Sequence, residues 1–139
     1  MVCIASIALA STISAPTTNE IKGKVTDTTK PSFYQILTTS GYGIKGYLAQ
    51  RVVKYGNPND YFTLYDLIQC ESSWDVDADN PHSTASGLAQ FLDSTWEGYC
   101  EGDKDNPYDQ IKCLVKAWNN KYYHWWSESK TCWKKYFKS

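Results

Sequence analysis

Residues 70–91, with the sequence CESSWDVDADNPHSTASGLAQF, decide how the rest of this 139-residue chain is interpreted. Glu71 stands at the end of a predicted helix, and a polar loop with the turn signal Asn80-Pro81 follows it. The segment 86–92 is short and apolar and has a glycine, Gly87, near its start, which predicts a small strand or an abrupt turn. The stretch therefore places one carboxylate near a loop that carries an amide, Gln90.

Helical periodicity lies on the N-terminal side of this stretch. Apolar residues recur at intervals of three or four between 44 and 55, and Gly56-Asn57-Pro58 ends that helix. The next predicted helix covers about residues 61–73. One face of it carries Leu64, Leu67, Ile68 and Glu71.

Two more helices are predicted on the C-terminal side. Asp93 or Ser94 can cap a short helix that ends near Tyr99. Asn106 is the expected N-cap of a longer helix, because Pro107 suits the first helical position. The apolar stripe of that helix is Ile111, Leu114, Val115, Trp118 and Tyr122. With a small β element at residues 86–92, the predicted fold class is α+β and mainly α.

Length and composition limit the class of function. The chain is long enough for one domain, and its formal net charge of -1 gives no basic excess for a phosphate backbone, so nucleic acid is not an expected partner. Six tryptophans and eleven tyrosines suit a core, and they also suit a groove whose walls stack on sugar rings. Neither a metal site nor a membrane span is predicted, and we expect a monomer without a cofactor.

The first residues are typical of an export signal. Residues 1–15 form an uncharged run of small and apolar side chains, too short to span a bilayer, that resembles the hydrophobic core and cleavage end of a signal peptide. A buried N-terminal strand is the alternative. Residues 16–40 are predicted to be a linker or extension, and residues 41–139 the domain. A secreted or otherwise extracytoplasmic location follows.

The cysteine count fits that location. If Cys3 belongs to the signal, Cys70, Cys100, Cys113 and Cys132 remain. Four thiols in an exported domain favour two disulfides, which leaves three connectivities open. We favour the pairs Cys100–Cys113, which closes a short loop, and Cys70–Cys132.

Glu71 is the candidate catalytic residue. It occupies the apolar face of its helix, where leucine or isoleucine is expected, and it lies in the last turn, where the helix dipole is negative. Both conditions disfavour the ionised form, so its pKa should rise, and a carboxyl that stays protonated near neutral pH is what a general acid requires. The alternative is a surface glutamate at a frayed helix end.

Polar and aromatic side chains near Glu71 are the candidate ligands for a sugar. Gln90 can donate and accept hydrogen bonds to N-acetyl or hydroxyl groups, although a structural amide is the alternative. Asn80 is a turn residue that could also bind the Glu71 carboxyl or the substrate. At least one of three tryptophans is expected to be a sugar platform, with the others in the core: Trp74, Trp125 and Trp126.

The three aspartates of the loop allow a second hypothesis. Asp75, Asp77 and Asp79 open like a calcium-binding loop, but Asn80 and Ser86 replace the glycine and glutamate that an EF-hand needs at positions six and twelve. They could instead supply the second carboxylate of an inverting glycosidase. We favour a solvated, turn-forming loop.

Taken together, the motifs resemble the transglycosylase SLT family of lysozyme-like lytic transglycosylases. The matching segments are 71–74, 80–81 and 86–91, followed by Thr95-Trp96 and Asn106-Pro107, and the resemblance covers about residues 44–133. It implies a lysozyme-like fold with a small β element beside the catalytic cleft. It also implies peptidoglycan strands as substrate, with cleavage of the β-1,4 bond between N-acetylmuramic acid and N-acetylglucosamine.

The resemblance assigns roles to residues. The family's single catalytic glutamate matches Glu71, and its assisting serine or asparagine matches Asn80. The cysteine before Glu71 and the late Cys132-Trp133 are similar to small secreted members, which supports the pair Cys70–Cys132. The substrate-binding residues that the resemblance implies are Asn80, Ser86, Gln90, Leu92 and Trp74.

One departure leaves the product open. Many family members have a late Ala-x-Tyr-Asn-x-Gly segment whose tyrosine reaches the catalytic site, whereas this chain has Ala117-Trp118-Asn119-Asn120, and Trp118 is expected in the core. The attacking group can therefore be the sugar's own 6-hydroxyl, as in a lytic transglycosylase, or water, as in a lysozyme-type muramidase. A non-catalytic glycan-binding module and a disulfide-stabilised interaction domain are the remaining alternatives.

Overall fold

A computed structural model describes residues 43–136, which are mainly helical and lie within the predicted domain. The predicted signal and linker lie outside the described residues. The α-helices are α1 (Gly43–Tyr55), α2 (Tyr61–Ser72), α3 (Asp93–Tyr99), α4 (Pro107–Asn119) and α5 (Lys130–Trp133). Short 3-10 turns cover Pro58–Asp60, Tyr123–Trp126 and Lys134–Tyr136.

Local capping sets the bounds of the two longest helices. The backbone N–H of Gly56 donates to the carbonyl of Val52 at 2.9 Å, which closes α1 where the glycine was expected to end it. The Asn106 side chain accepts from the backbone N–H of Tyr108 at 2.9 Å, and Pro107 occupies the first position of α4. These contacts satisfy backbone groups that a helix end otherwise leaves without a partner.

The core lies where α1, α2, α4 and α5 meet. Helix α1 packs against α4 and α2, and α2 packs against α5. The apolar stripe predicted for α4 is buried, including Trp118 at 1% exposure, whereas Tyr122 lies past the helix end and is half-buried. Burying each large apolar side chain contributes about 1.5–3 kcal/mol. The largest fully buried side chains include Trp118, Trp133, Tyr61, Leu48, Leu64, Leu67 and Ile68.

Extended pairing is confined to one loop. Among residues 43–136 it consists of two isolated antiparallel bridges, Asp79 with Ser86 and Ser86 with Phe91. Between the bridges, Gly87 has φ of +72°, and its N–H donates to the carbonyl of Ala78 at 2.7 Å. The segment predicted as a small strand or an abrupt turn is therefore a turn held by single bridges.

Two disulfides fix the helices to each other. Cys70–Cys132 joins the end of α2 to α5, and Cys100–Cys113 joins the residue after α3 to α4. Both are the favoured pairs. None of the helices in the described part of the chain has both the length and the apolar character to cross a bilayer.

Candidate active site

Glu71 lies in the last turn of α2, on the face that carries Leu67 and Ile68 into the core. The helix ends at Ser73, which has a left-handed φ of +55°, so the chain turns away immediately after it. Unlike its apolar neighbours on that face, the Glu71 side chain is half-buried. The Glu71 side chain thus lies at the end of the buried apolar face of α2.

Among residues 43–136, one side-chain hydrogen bond holds the Glu71 carboxyl. The Ser129 hydroxyl, just before α5, donates to Glu71 Oε1 from 58 residues further along the chain. Trp133 Nε1 donates to Ser129 Oγ at 3.1 Å and to the Trp126 carbonyl at 3.1 Å. Sequence reasoning missed Ser129. The signal that could have found it is its place one helical turn before Cys132, whose partner Cys70 adjoins Glu71.

Burial raises the pKa of the Glu71 carboxyl above its ordinary value, because removal from water penalises the charged form. The hydrogen bond from Ser129 acts in the opposite direction, since it stabilises the carboxylate, but the net shift is upward. The protonated acid therefore persists to a higher pH than in a solvated glutamate.

The loop that follows Gly87 is tied to both segments that hold Glu71. Ser72 Oγ, next to the glutamate, donates to the Leu88 carbonyl at 2.9 Å. From the other side, the indole N–H of Trp126 donates to the Ala89 carbonyl at 2.9 Å. The catalytic candidate and this loop are thus parts of one hydrogen-bonded unit.

A small groove of about 80 Å³ opens beside this unit. Leu92 lies in it with 43% of its surface exposed, and the ring of Trp125 stacks on Tyr122 with centroids 4.8 Å apart. Trp126 lines the groove, and its carbonyl lies 3.3 Å from Ser129 Oγ, the hydroxyl that donates to Glu71 Oε1. The lining residues are Gln90, Phe91, Leu92, Thr95, Trp125 and Trp126.

Gln90 has a structural role on one side of its amide. Its backbone has a left-handed φ of +49°, and its Nε2 donates to the carbonyls of Ala78 at 3.2 Å and Gly87 at 3.0 Å. Within the described residues no group donates to its Oε1, so this oxygen can accept from a ligand. The alternative prediction, that Gln90 has a structural role, therefore holds for its side-chain nitrogen.

Three other predicted site residues have separate surroundings. Asn80 Oδ1 accepts from the backbone N–H of His82 at 2.9 Å, which is a turn role. Ser86 forms the two bridges, and Trp74 packs its ring on Tyr65 with centroids 4.8 Å apart. Within the described part of the chain, none of the three hydrogen-bonds to Glu71. The structure thus brings Gln90 and Leu92 together in the groove, but not these three.

The aspartates between α2 and the bridges behave as turn formers. Asp75 Oδ1 accepts from the backbone N–H of Asp77 at 3.0 Å, and Asp75, Asp77 and Asp79 are exposed. Among residues 43–136 no three histidine, cysteine or acidic side chains are arranged to hold a metal ion. A solvated loop therefore describes this segment.

Comparison of the chain with protein-family models, with curated proteins and with solved structures gave no match in any of the three. The resemblance to the transglycosylase SLT family stays a prediction from the order and spacing of sequence motifs.

Proposed function

We propose that this chain is an exported enzyme that cleaves the β-1,4 bond between N-acetylmuramic acid and N-acetylglucosamine in peptidoglycan. Glu71 is its general acid and base, and the domain has a lysozyme-like fold with a small β element. The observation that carries the proposal is the half-buried carboxyl of Glu71, with a raised pKa, at the end of an apolar helix face.

A raised pKa suits the first chemical step. The glycosidic oxygen is a poor leaving group until it receives a proton, and an acid with a raised pKa stays protonated to a higher pH and can supply one. Burial and one neutral hydroxyl cause the shift, and neither is a second acid. This supports a mechanism with one carboxyl rather than the close pair of carboxyls that a retaining glycosidase uses.

With one carboxyl, the same residue must serve both steps. After it donates its proton, the Glu71 carboxylate can remove a proton from the group that attacks the sugar. In a lytic transglycosylase this group is the sugar's own 6-hydroxyl and the product has a 1,6-anhydro end. In a muramidase it is water and the product has a reducing end. We favour the lytic transglycosylase, and the muramidase is the alternative within the same fold.

A peptidoglycan digest distinguishes these two functions by the products that each one releases. Purified protein is incubated with insoluble peptidoglycan, and the soluble fragments are identified by mass spectrometry for the wild type, Glu71→Gln and Glu97→Gln. Glu97 is an exposed glutamate on α3, so its variant controls for loss of a carboxylate. We expect anhydro-ended fragments from the wild type and Glu97→Gln and none from Glu71→Gln. Reducing ends would select the muramidase.

One of the non-catalytic alternatives is a glycan-binding module without turnover. In that case wild type and Glu71→Gln would both sediment with peptidoglycan and neither would release fragments. Equal cleavage by Glu71→Gln and the wild type would refute the role of Glu71 itself.

A further inference from the structure

The hydrogen bonds around Ser129 fix the direction of its hydroxyl. Ser129 Oγ has three polar neighbours: Glu71 Oε1, Trp133 Nε1 at 3.1 Å and the Trp126 carbonyl at 3.3 Å. The indole N–H of Trp133 can only donate, so Ser129 accepts from it. Two acceptors remain, and the Trp126 carbonyl, which also accepts from the same N–H at 3.1 Å, is the more distant at 3.3 Å. The Glu71 carboxylate is the closer and, being charged, the stronger acceptor, so the Ser129 hydrogen is directed to Glu71 Oε1.

This direction distinguishes the two oxygens of Glu71. As long as Ser129 donates to Oε1, that oxygen acts as the carbonyl oxygen of the protonated acid and the acid proton is on Oε2. The groups that hold Ser129 are rigid, because Trp133 is fully buried and Trp126 is 4% exposed. The ring of Trp133 also packs on Trp118 with centroids 5.4 Å apart. The carboxyl is thus held through one oxygen and presents its proton on the other.

We propose that Ser129 is a positioning residue for Glu71, which it holds through Oε1 so that Oε2 alone delivers the proton to the substrate. This inference rests on the proposed function. In the first step the Oε2 proton moves to the glycosidic oxygen as the bond from that oxygen to the sugar C1 breaks. In the second step the 6-hydroxyl, or water, forms a new bond to C1 and its proton returns to Oε2. Ser129 donates to Oε1 throughout and stabilises the carboxylate between the steps.

The test compares variants that differ in the hydroxyl alone. Ser129→Thr and Ser129→Val have nearly the same shape, but only the threonine can donate, and Ser129→Ala removes the hydroxyl without adding bulk. Ser127→Ala is the matched control, because Ser127 is an exposed serine two residues away. Glu71→Gln reports the background without the acid. Circular dichroism and a thiol count confirm that each variant is folded with both disulfides.

Two readouts are measured: kcat and KM for the release of soluble fragments across a pH series, and the Glu71 pKa by carbon NMR. For Ser129→Ala and Ser129→Val we expect kcat to fall roughly 10- to 100-fold with KM unchanged, since misplacement of a reacting group has this scale of effect. Because the hydrogen bond from Ser129 lowers the pKa of Glu71, we also expect this pKa to rise in these variants and the alkaline limb of the pH–rate profile to shift to higher pH. Ser129→Thr should keep most of the activity, and Ser127→Ala all of it.

The outcomes separate the two proposals. If Ser129→Ala and Ser129→Val keep the wild-type kcat and pH profile while Glu71→Gln is inactive, Ser129 is not a positioning residue and the proposed function stands. Equal losses in Ser129→Thr and Ser129→Val also overturn the inference, because the hydroxyl would then not matter. If the wild type releases no fragments at all, the proposed function fails, and the catalytic role of Ser129 fails with it.

Discussion

Replacing Gly87 by alanine tests the packing of the loop that adjoins Glu71. A Cβ atom on Gly87 would lie 1.9 Å from Gln110 Nε2 and 2.6 Å from its Cδ and Oε1. Gln110 has little freedom to move, because it is 1% exposed, and its Nε2 donates to the Lys104 carbonyl at 2.6 Å. The φ of +72° at Gly87 is also unfavourable for any residue with a Cβ.

The expected cost is the sum of two effects. Holding alanine in a left-handed conformation costs about 1–2 kcal/mol. Displacing Gln110 breaks a buried hydrogen bond and leaves a buried polar group without its partner, which costs roughly 1–3 kcal/mol more. Gly87→Ala should therefore reduce the free energy of unfolding by about 2–5 kcal/mol, a large share of a typical domain's stability.

The assay is urea unfolding, followed by tryptophan fluorescence, with two comparison variants. Gly98→Ala is the control, because Gly98 lies inside α3 and a Cβ added there would meet nothing within 4 Å, so alanine should be neutral or stabilise by up to about 1 kcal/mol. Gly87→Ala/Gln110→Ala removes the clash partner, so its cost should be at least about 1 kcal/mol less than the sum of the single costs. A cost below about 1 kcal/mol for Gly87→Ala would refute this account of the loop.

Three further predictions concern the site and its supports. Because the pKa of Glu71 is higher in the folded state, the wild type loses stability as the pH rises from the pKa in the unfolded state, near 4.5, through the pKa in the folded state. Glu71→Gln has no such group, so its melting temperature relative to that of the wild type should increase between pH 4 and pH 7. A difference in melting temperature that stays constant over this range would count against the raised pKa. Cys70→Ala/Cys132→Ala removes a disulfide between residues that are 62 positions apart in the sequence, and it should lower the free energy of unfolding by about 4 kcal/mol in denaturant titrations. A loss under about 1 kcal/mol would contradict the stabilising role of this disulfide. Trp125→Ala should raise KM for peptidoglycan about 10-fold with little change in kcat, as stacking on a sugar ring predicts, and an unchanged KM would exclude Trp125 as a platform.

The helices were predictable because their signals are local. The ends of α1 and α4 depend on Gly56, Asn106 and Pro107, whose effects act within one turn of the chain. The position of Glu71 on a buried face follows from the same periodicity, since Leu67 and Ile68 are fully buried beside it. Sequence alone therefore identified the element and the face that carry the candidate acid.

The surroundings of Glu71 were less predictable, because tertiary packing decides them. Ser129 is 58 residues away and is an ordinary serine until Cys70–Cys132 brings it to the carboxyl. Asn80 is predicted to assist the acid, and its Oδ1 accepts from a backbone N–H in its own turn. Local hydrogen bonding often takes up asparagine in this way, and no pattern of spacing reveals it.

The sequence also could not show which tryptophans lie in the core and which line the groove. A core and a sugar groove both favour large aromatic rings, so composition cannot distinguish the two uses. Trp126 is buried and donates its indole N–H to a backbone carbonyl, whereas the neighbouring Trp125 is half-buried and lines the groove. Their adjacent positions give no hint of this difference, which depends on the turn at Tyr123–Trp126.

The most direct test of the central claim is the titration of the Glu71 carboxyl itself, by carbon NMR on protein labelled at the glutamate carboxyl carbons. Comparison with Glu71→Gln assigns the resonance. We predict a midpoint clearly above the value near 4.5 of a solvated glutamate, with the exposed Glu97 as an internal comparison. A Glu71 midpoint at or below that ordinary value would contradict the claim that burial keeps this acid protonated for catalysis.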